Sequence, residues 1–252
     1  MNKIAVILIS LFMTTLANAL PDPVETFKEQ GDKAYQAEKY EEAIAAYNKI
    51  VAQGYESADV YYNLGNAYYK NNQLPYAILN YERAKLLSPS DDDIAYNLQI
   101  ARQHLTDKIE EVPHPVKDFM LSIMHTASPD GWAWTSLISF LLFLALAGVL
   151  LFASPVAVKK LSLLGAFLFL FLSVVTFFFA RLSTKQITNH AHAIIVTPTT
   201  VVKSSPDDAG ADLFYIHEGT KVEITDKLPD WLEIKLADGN VGWVRKDVLV
   251  RI

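Results

Sequence analysis

Residues 161–180 read LSLLGAFLFLFLSVVTFFFA, a stretch without a charged side chain. Fourteen of these positions are Leu, Phe or Val. At about −0.3 to −0.6 kcal/mol each for membrane insertion, they contribute roughly −4 to −8 kcal/mol, more than the Ser and Thr residues subtract. A second uncharged block, residues 132–153, reads WAWTSLISFLLFLALAGVLLFA. At about 1.5 Å per helical residue, either block reaches roughly 30 Å, the thickness of a bilayer's hydrocarbon core. Helices apolar on every face need lipid or a very large core, and a chain of 252 residues does not build one. The pair therefore reads as a transmembrane hairpin, with helices over 132–153 and 161–181. Its link, Ser154-Pro155-Val156-Ala157-Val158-Lys159-Lys160, is too short to be a domain. A hairpin leaves the flanking segments on the same side of the membrane.

Working outward, the flanks are each long enough for one small domain. Both are acidic: residues 21–111 carry sixteen Asp/Glu against nine Lys/Arg, and residues 190–252 carry ten against seven. With a formal charge of −6 for the chain, nothing here points to nucleic acid. There is no cysteine, so there is no disulfide framework and no thiolate chemistry. At the amino end Lys3 precedes an apolar run over 4–16 and then Ala17-Asn18-Ala19. A charged start, an apolar middle and a small-x-small site predict a signal peptide over 1–19. The segment that follows is then exported. Lys159 and Lys160 fall in a cytoplasmic link, as the excess of basic residues on that side requires. Arg181 and Lys185 follow the second helix on the exported side, so the signal peptide decides the orientation.

Residues 22–111 repeat with a period of 34. The offset relates Gly31 to Gly65, Tyr40 to Leu74, Ala43 to Ala77, Ile44 to Ile78 and Tyr47 to Tyr81, and it carries Tyr62-Asn63-Leu64 onto Tyr96-Asn97-Leu98. Gly and Ala suit places where paired helices approach closely, and Tyr rings fill the gaps between layers. This pattern resembles the tetratricopeptide repeat (TPR). Two repeats are followed by a capping helix that opens at Asp91-Asp92-Asp93, acids that suit the positive end of the helix dipole. Gln99 stands at its glycine position, a departure from the motif. The resemblance implies a concave face built from the first helix of each repeat. By position, its groove holds Lys28, Asp32 and Tyr35 from repeat one and Tyr62, Asn63, Asn66 and Tyr69 from repeat two. The cap adds Tyr96, Asn97 and Gln103. Asn side chains both donate and accept, which suits a peptide backbone.

Pro113 and Pro115 interrupt the chain after the repeats. Within residues 112–131, Val116, Phe119, Met120, Ile123, Met124 and Ala127 then make one apolar stripe. Beside a bilayer this predicts an amphipathic juxtamembrane helix. A last helix packing on the repeats is the other reading. Ser128-Pro129 is a cap followed by Pro at the first helical position, and Trp132 and Trp134 mark the interfacial entrance of the first spanning helix.

In residues 190–252, short β-branched and aromatic runs alternate with the turn residues Ser205-Pro206-Asp207-Asp208, Glu218-Gly219 and Asp238-Gly239. Five or more strands in so short a segment predict a small barrel. The run 201–205, Glu218-Gly219-Thr220-Lys221-Val222, Trp231-Leu232-Glu233-Ile234 and above all Gly242-Trp243-Val244 resemble the bacterial SH3 domain. Gly242 is expected to let two strands pass closely, and the tryptophans to close the barrel. Tyr215, Trp231 and Trp243 are its candidate ligand contacts. The fold class is thus multi-domain α and β: an α-solenoid (TPR), a transmembrane helical hairpin and a small C-terminal SH3-like β-barrel.

No Walker A loop, H-E-x-x-H, G-x-S-x-G or Gly-rich dinucleotide turn is present, so no catalytic, cofactor-binding or metal residue is assigned. His190 and His192 lie two apart, without a carboxylate at ligand spacing. The whole order of modules resembles the BatE proteins of the Bat aerotolerance cluster. That resemblance implies a non-catalytic scaffold in the bacterial inner membrane, with both modules periplasmic. It also implies von Willebrand A-domain membrane proteins and a MoxR-type ATPase as partners. The alternative is an adaptor whose barrel grips peptidoglycan while the repeats recruit a wall-active enzyme.

Overall fold

The computed structural model describes residues 23–109, 113, 115–188 and 191–252. The signal-peptide segment lies outside the described residues. Among the described residues five helices come first: α1 (Pro23–Gln36), α2 (Tyr40–Ala52), α3 (Ala58–Lys70), α4 (Leu74–Leu87) and α5 (Asp92–Gln103). The 34-residue period is physical down to the turns. Glu38 and Asn72, one period apart, both take the left-handed conformation at φ 58°. Behind them the Lys39 N–H donates to Ala34 O and the Gln73 N–H to Tyr68 O, both at 2.9 Å. These bonds satisfy carbonyls that a helix end otherwise leaves open. At the start of α5, the Asp91 carboxylate accepts from the N–H groups of Asp93 and Ile94 at 3.0 and 3.2 Å.

A short helix, α6 (Pro115–Met124), leads into α7 (Pro129–Phe152) and α8 (Val156–Thr188). Ser128 caps α7 by accepting from the Gly131 N–H at 3.1 Å, and Trp132 Nε1 donates to Met124 O at 2.8 Å, tying α6 to α7. Helix α8 starts at Val156, five residues before the apolar block, so Lys159 and Lys160 are helical rather than in a loop. Pro155 has no N–H to lose at a helix start, and the Lys159 N–H already donates to Pro155 O at 3.1 Å. Helices α7 and α8 pack on each other through Ser136 and Ser173, each hydroxyl donating to the other residue's carbonyl at 3.0 and 3.1 Å. Away from that seam they are bare: Leu164 and Phe171 are 69% and 68% exposed. Both helices are long and apolar enough to cross a membrane, by length and composition.

Seven antiparallel strands follow: β1 (His192–Ile195), β2 (Thr199–Lys203), β3 (Asp212–His217), β4 (Lys221–Lys227), β5 (Trp231–Lys235), β6 (Val241–Arg245) and β7 (Leu249–Arg251). Their order is β3-β2-β6-β5-β4-β1-β7. Inward side chains alternate with outward ones, and Val202, Val222, Leu232, Ile234 and Val244 form the barrel core. A Cβ on Gly242 would stand 2.5 Å from Val202 Cγ1 and 2.9 Å from Lys203 O, so only glycine allows β6 and β2 this approach. Trp231 and Trp243 do not close the barrel as the sequence reading expected. They alternate with the buried Leu232, Gly242 and Val244 and so stand half-buried on its outer face.

Candidate functional site

The repeat face is built around two equivalent hydrogen bonds. The Tyr47 hydroxyl donates to Asp32 Oδ1 at 2.6 Å, and the Tyr81 hydroxyl donates to Asn66 Oδ1 at 2.7 Å. Each ring lies over the glycine that precedes its acceptor: a Cβ would meet Tyr47 Cε1 at 2.5 Å from Gly31, and the Tyr81 ring at 2.7 Å from Gly65. Burial, first of all, raises both hydroxyls well above the ordinary tyrosine range, so they remain donors. Asn97 extends the second cluster from α5. Its amide donates to the Tyr62 hydroxyl at 2.8 Å and to Asn66 Oδ1 at 3.1 Å.

Of the groove residues the sequence proposes, the structure therefore brings Tyr62, Asn66 and Asn97 into one network, with Asp32 in its equivalent one repeat earlier. Much of their polar capacity is spent within the fold. Tyr35 stands edge-on to Tyr40 at 5.5 Å, and burial raises its hydroxyl. The Tyr69 ring is 6.1 Å from His104. Lys28 and Asn63 are half-buried on α1 and α3; Gln103 is exposed at the end of α5, and Tyr96 is 64% exposed. Tyr96, Gln103 and the free edges of Asn63 and Asn97 are the groups this face offers outward.

On the barrel, Tyr215, Trp231 and Trp243 share the outer face of the run β3-β2-β6-β5. The register sets this: Tyr215 faces Val201, Lys203 faces Trp243, Trp243 faces Glu233 and Trp231 faces Arg245. Tyr215 is exposed, and Leu213 and Val241 are exposed apolar residues on β3 and β6. Trp231 is covered by the Arg245 guanidinium, 5.2 Å from the ring centroid, which in turn grips both oxygens of Asp208 at 2.7 and 2.6 Å. That cation-over-ring clasp pins the β2–β3 loop beside Trp231.

What the sequence did not reveal is that repeats and barrel pack directly on one another. Ile194 of β1 and Ile252 are buried in one cluster with Ala77, Ile78 and Tyr81 of α4 and Leu98 and Ala101 of α5. Glu82 on α4, 3% exposed, is paired with Arg102 from α5 and with Lys221 Nζ from β4 at 2.7 Å. Burial would push the Glu82 carboxyl up, but the two cations outweigh it and hold it at about 2. A second clasp lies at Asp107. Its carboxylate accepts from the His217 N–H at 2.6 Å and the Thr220 hydroxyl at 2.8 Å, and meets His217 Nδ1 at 2.8 Å. Burial would raise this carboxyl, yet these bonds outweigh it and lower it below the ordinary range. Between the clasps Gly219 (φ 85°) fits against Leu105 and Ile78, where a Cβ would come within 2.3 Å of Leu105 Cδ2. Arg83 adds a bond from its guanidinium to Arg251 O at 2.6 Å.

The only sequence trace of this junction is an acid, Glu82, among the apolar positions of α4. No metal cluster of three or more His, Asp or Glu side chains occurs among the described residues. No curated protein is significantly similar to the chain. Residues 28–92 match the family described as tetratricopeptide repeat, and residues 199–250 match the bacterial SH3 domain. Both are interaction modules without catalysis of their own, so the chain joins a helical repeat unit and a bacterial SH3 barrel, modules of protein interaction or cell-wall binding.

Proposed function

We propose that this protein is a membrane-anchored, non-catalytic scaffold that presents its repeats and barrel together on the exported side of a bacterial inner membrane. The observation that carries this reading is the junction at Glu82 and Asp107: it makes the two modules one head. A pair of membrane-length helices is inserted between the two modules, with only residues 189–191 between α8 and β1. A tether so short holds the head at the lipid surface. Helix α6, which leaves Val116 and Phe119 80% and 66% exposed, lies along that surface. The module order supports a place in a Bat-type aerotolerance or envelope-stress complex, beside von Willebrand A-domain membrane proteins and a MoxR-type ATPase. In this reading the repeat groove (Lys28, Tyr35, Asn63, Tyr69, Tyr96, Asn97, Gln103) holds a protein partner.

A photo-crosslinking residue placed at Asn63 or at Tyr96, in intact cells, tests this. Attachment to a membrane protein of that complex is expected from both positions. Crosslinks to cytosolic proteins alone defeat the orientation and the role together.

The exposed Tyr215, on the same sheet face as Trp243 and Trp231, favours one second reading, in which the barrel face stacks on peptidoglycan sugars or stem peptides. Retention of the detergent-solubilised full chain on purified peptidoglycan, lost in Tyr215→Ala, supports it. Equal retention of wild type and variant removes it. The full chain is the right probe, because a severed barrel would expose Ile194 and Lys221.

A further inference from the structure

One side of the helical hairpin carries an open groove of about 820 Å3. Its walls are apolar, with Leu137 and Phe140 from α7 and Val174 and Phe177 from α8, and one end is lined by Arg181 and Lys185. Ser173, Phe177, Arg181 and Lys185 recur every four residues and so form one line along α8. That line is about 18 Å long, a little more than half the roughly 30 Å hydrocarbon core. Among the described residues, no acidic side chain lines the groove. The Ser136 and Ser173 hydroxyls are used on each other's carbonyls, so the middle of the groove offers an occupant little but hydrocarbon. The basic excess expected at a cytoplasmic turn is already supplied by Lys159 and Lys160 at the opposite end of the hairpin, so it does not account for Arg181 and Lys185.

We propose that this groove is a binding site for an anionic phospholipid. One acyl chain lies between Phe140 and Phe177, and the headgroup phosphate sits against Arg181 and Lys185. The planar guanidinium of Arg181 gives the phosphate two parallel donors, and Lys185 adds a point charge. A zwitterionic lipid of the same chains fills the slot but carries no net charge for the cations. The proposal rests on the membrane-spanning reading of the hairpin.

The test uses full-length protein purified in neutral detergent. Native mass spectrometry measures retention of phosphatidylglycerol against phosphatidylcholine of identical chains, with inorganic phosphate as a third probe. Two basic residues at a lipid surface predict a roughly thirtyfold preference for phosphatidylglycerol. Arg181→Gln/Lys185→Gln should abolish the preference, and Lys159→Gln/Lys160→Gln should preserve it. Ala133→Phe obstructs the slot while leaving both cations, and it should also abolish retention. Inorganic phosphate should not compete, since the chain supplies the remaining contact. Equal retention of the two lipids, or a preference that survives Arg181→Gln/Lys185→Gln, overturns the site. So does a wild-type dimer that Ala133→Phe converts to monomer, which would assign the groove to a second copy. An alkaline carbonate wash of membranes separates the two readings. Release of the chain defeats the spanning hairpin itself, while retention without lipid preference defeats the site alone.

Discussion

At position 65 a methyl group would stand 2.7 Å from the Tyr81 ring, and the helix that carries the ring cannot move away, because its other side supports α5 and the barrel. Gly65→Ala is therefore expected to cost about 1–3 kcal/mol, the usual range for overpacking a closed site. Tyr81→Phe keeps the ring and loses one donor to Asn66, whose Oδ1 still accepts from Asn97. Its cost should be smaller, about 1 kcal/mol. Thermal melts of the two variants check the order: a Tyr81→Phe loss exceeding that of Gly65→Ala would mean that the hydroxyl, not the close approach, organises the repeat. Both features follow from local chemistry repeated at a fixed offset, which is why Gly31, Gly65, Tyr47 and Tyr81 were legible in the sequence. The partners of the hydroxyls were not. Asp32 and Asn66 read equally well as groove residues, and only the helix pairing shows that they accept inward.

Among the elements, α7 and α8 announce themselves by composition alone, since apolar length needs no knowledge of the rest of the chain. Their mutual fit is another matter. The Ser136–Ser173 pair lies 37 residues apart in sequence, and its reciprocal bonds exist only once the hairpin has closed in this register. Ser173→Val keeps the apolar length but removes the bond that the Ser173 hydroxyl donates, while Ser136 still has the residue-173 carbonyl to donate to. A loss of about 0.6 kcal/mol is expected, the typical worth of an interhelical bond between membrane helices, read from the unfolding midpoint in a detergent titration. No change would show that the Ser173 hydroxyl adds nothing to the packing at Ser162, Ala166 and Ser139, all buried. Helix α4 makes the opposite case. Its buried residues, from Pro75 to Ala84, face several directions because α3, α5 and the barrel enclose it. From the sequence it read as an ordinary second helix of a repeat.

For the whole molecule, the junction carries the pH dependence. The folded Glu82 carboxyl stands at about 2, below its ordinary value near 4.5, so its contribution is complete above pH 4.5 and is lost as pH falls toward 2. A depression of this size corresponds to about 3 kcal/mol. Asp107 is depressed too and acts in the same direction. Acidification through that window is expected to separate barrel from repeats, with hydrogen exchange rising first at Ile194 and Gly219. Glu82→Gln should reproduce the separation at pH 7 with a loss of about 3–5 kcal/mol, because Lys221 and Arg102 then face a neutral group. Unchanged protection at Ile194 in Glu82→Gln would show that apolar contact alone joins the modules.

By itself the sequence determined the modules and their order: the hairpin from apolar length, the repeats from a 34-residue period, the barrel from alternating strands and the Gly242-Trp243-Val244 ending. Each of these signals is local or periodic, and so survives in one dimension. Only the tertiary structure decided that repeats and barrel are one body, because Glu82 and Lys221 lie 139 residues apart and Asp107 and Thr220 lie 113 apart. A contact between elements so distant leaves no spacing to read. It exists where two surfaces meet, and there burial and charge pairing select it.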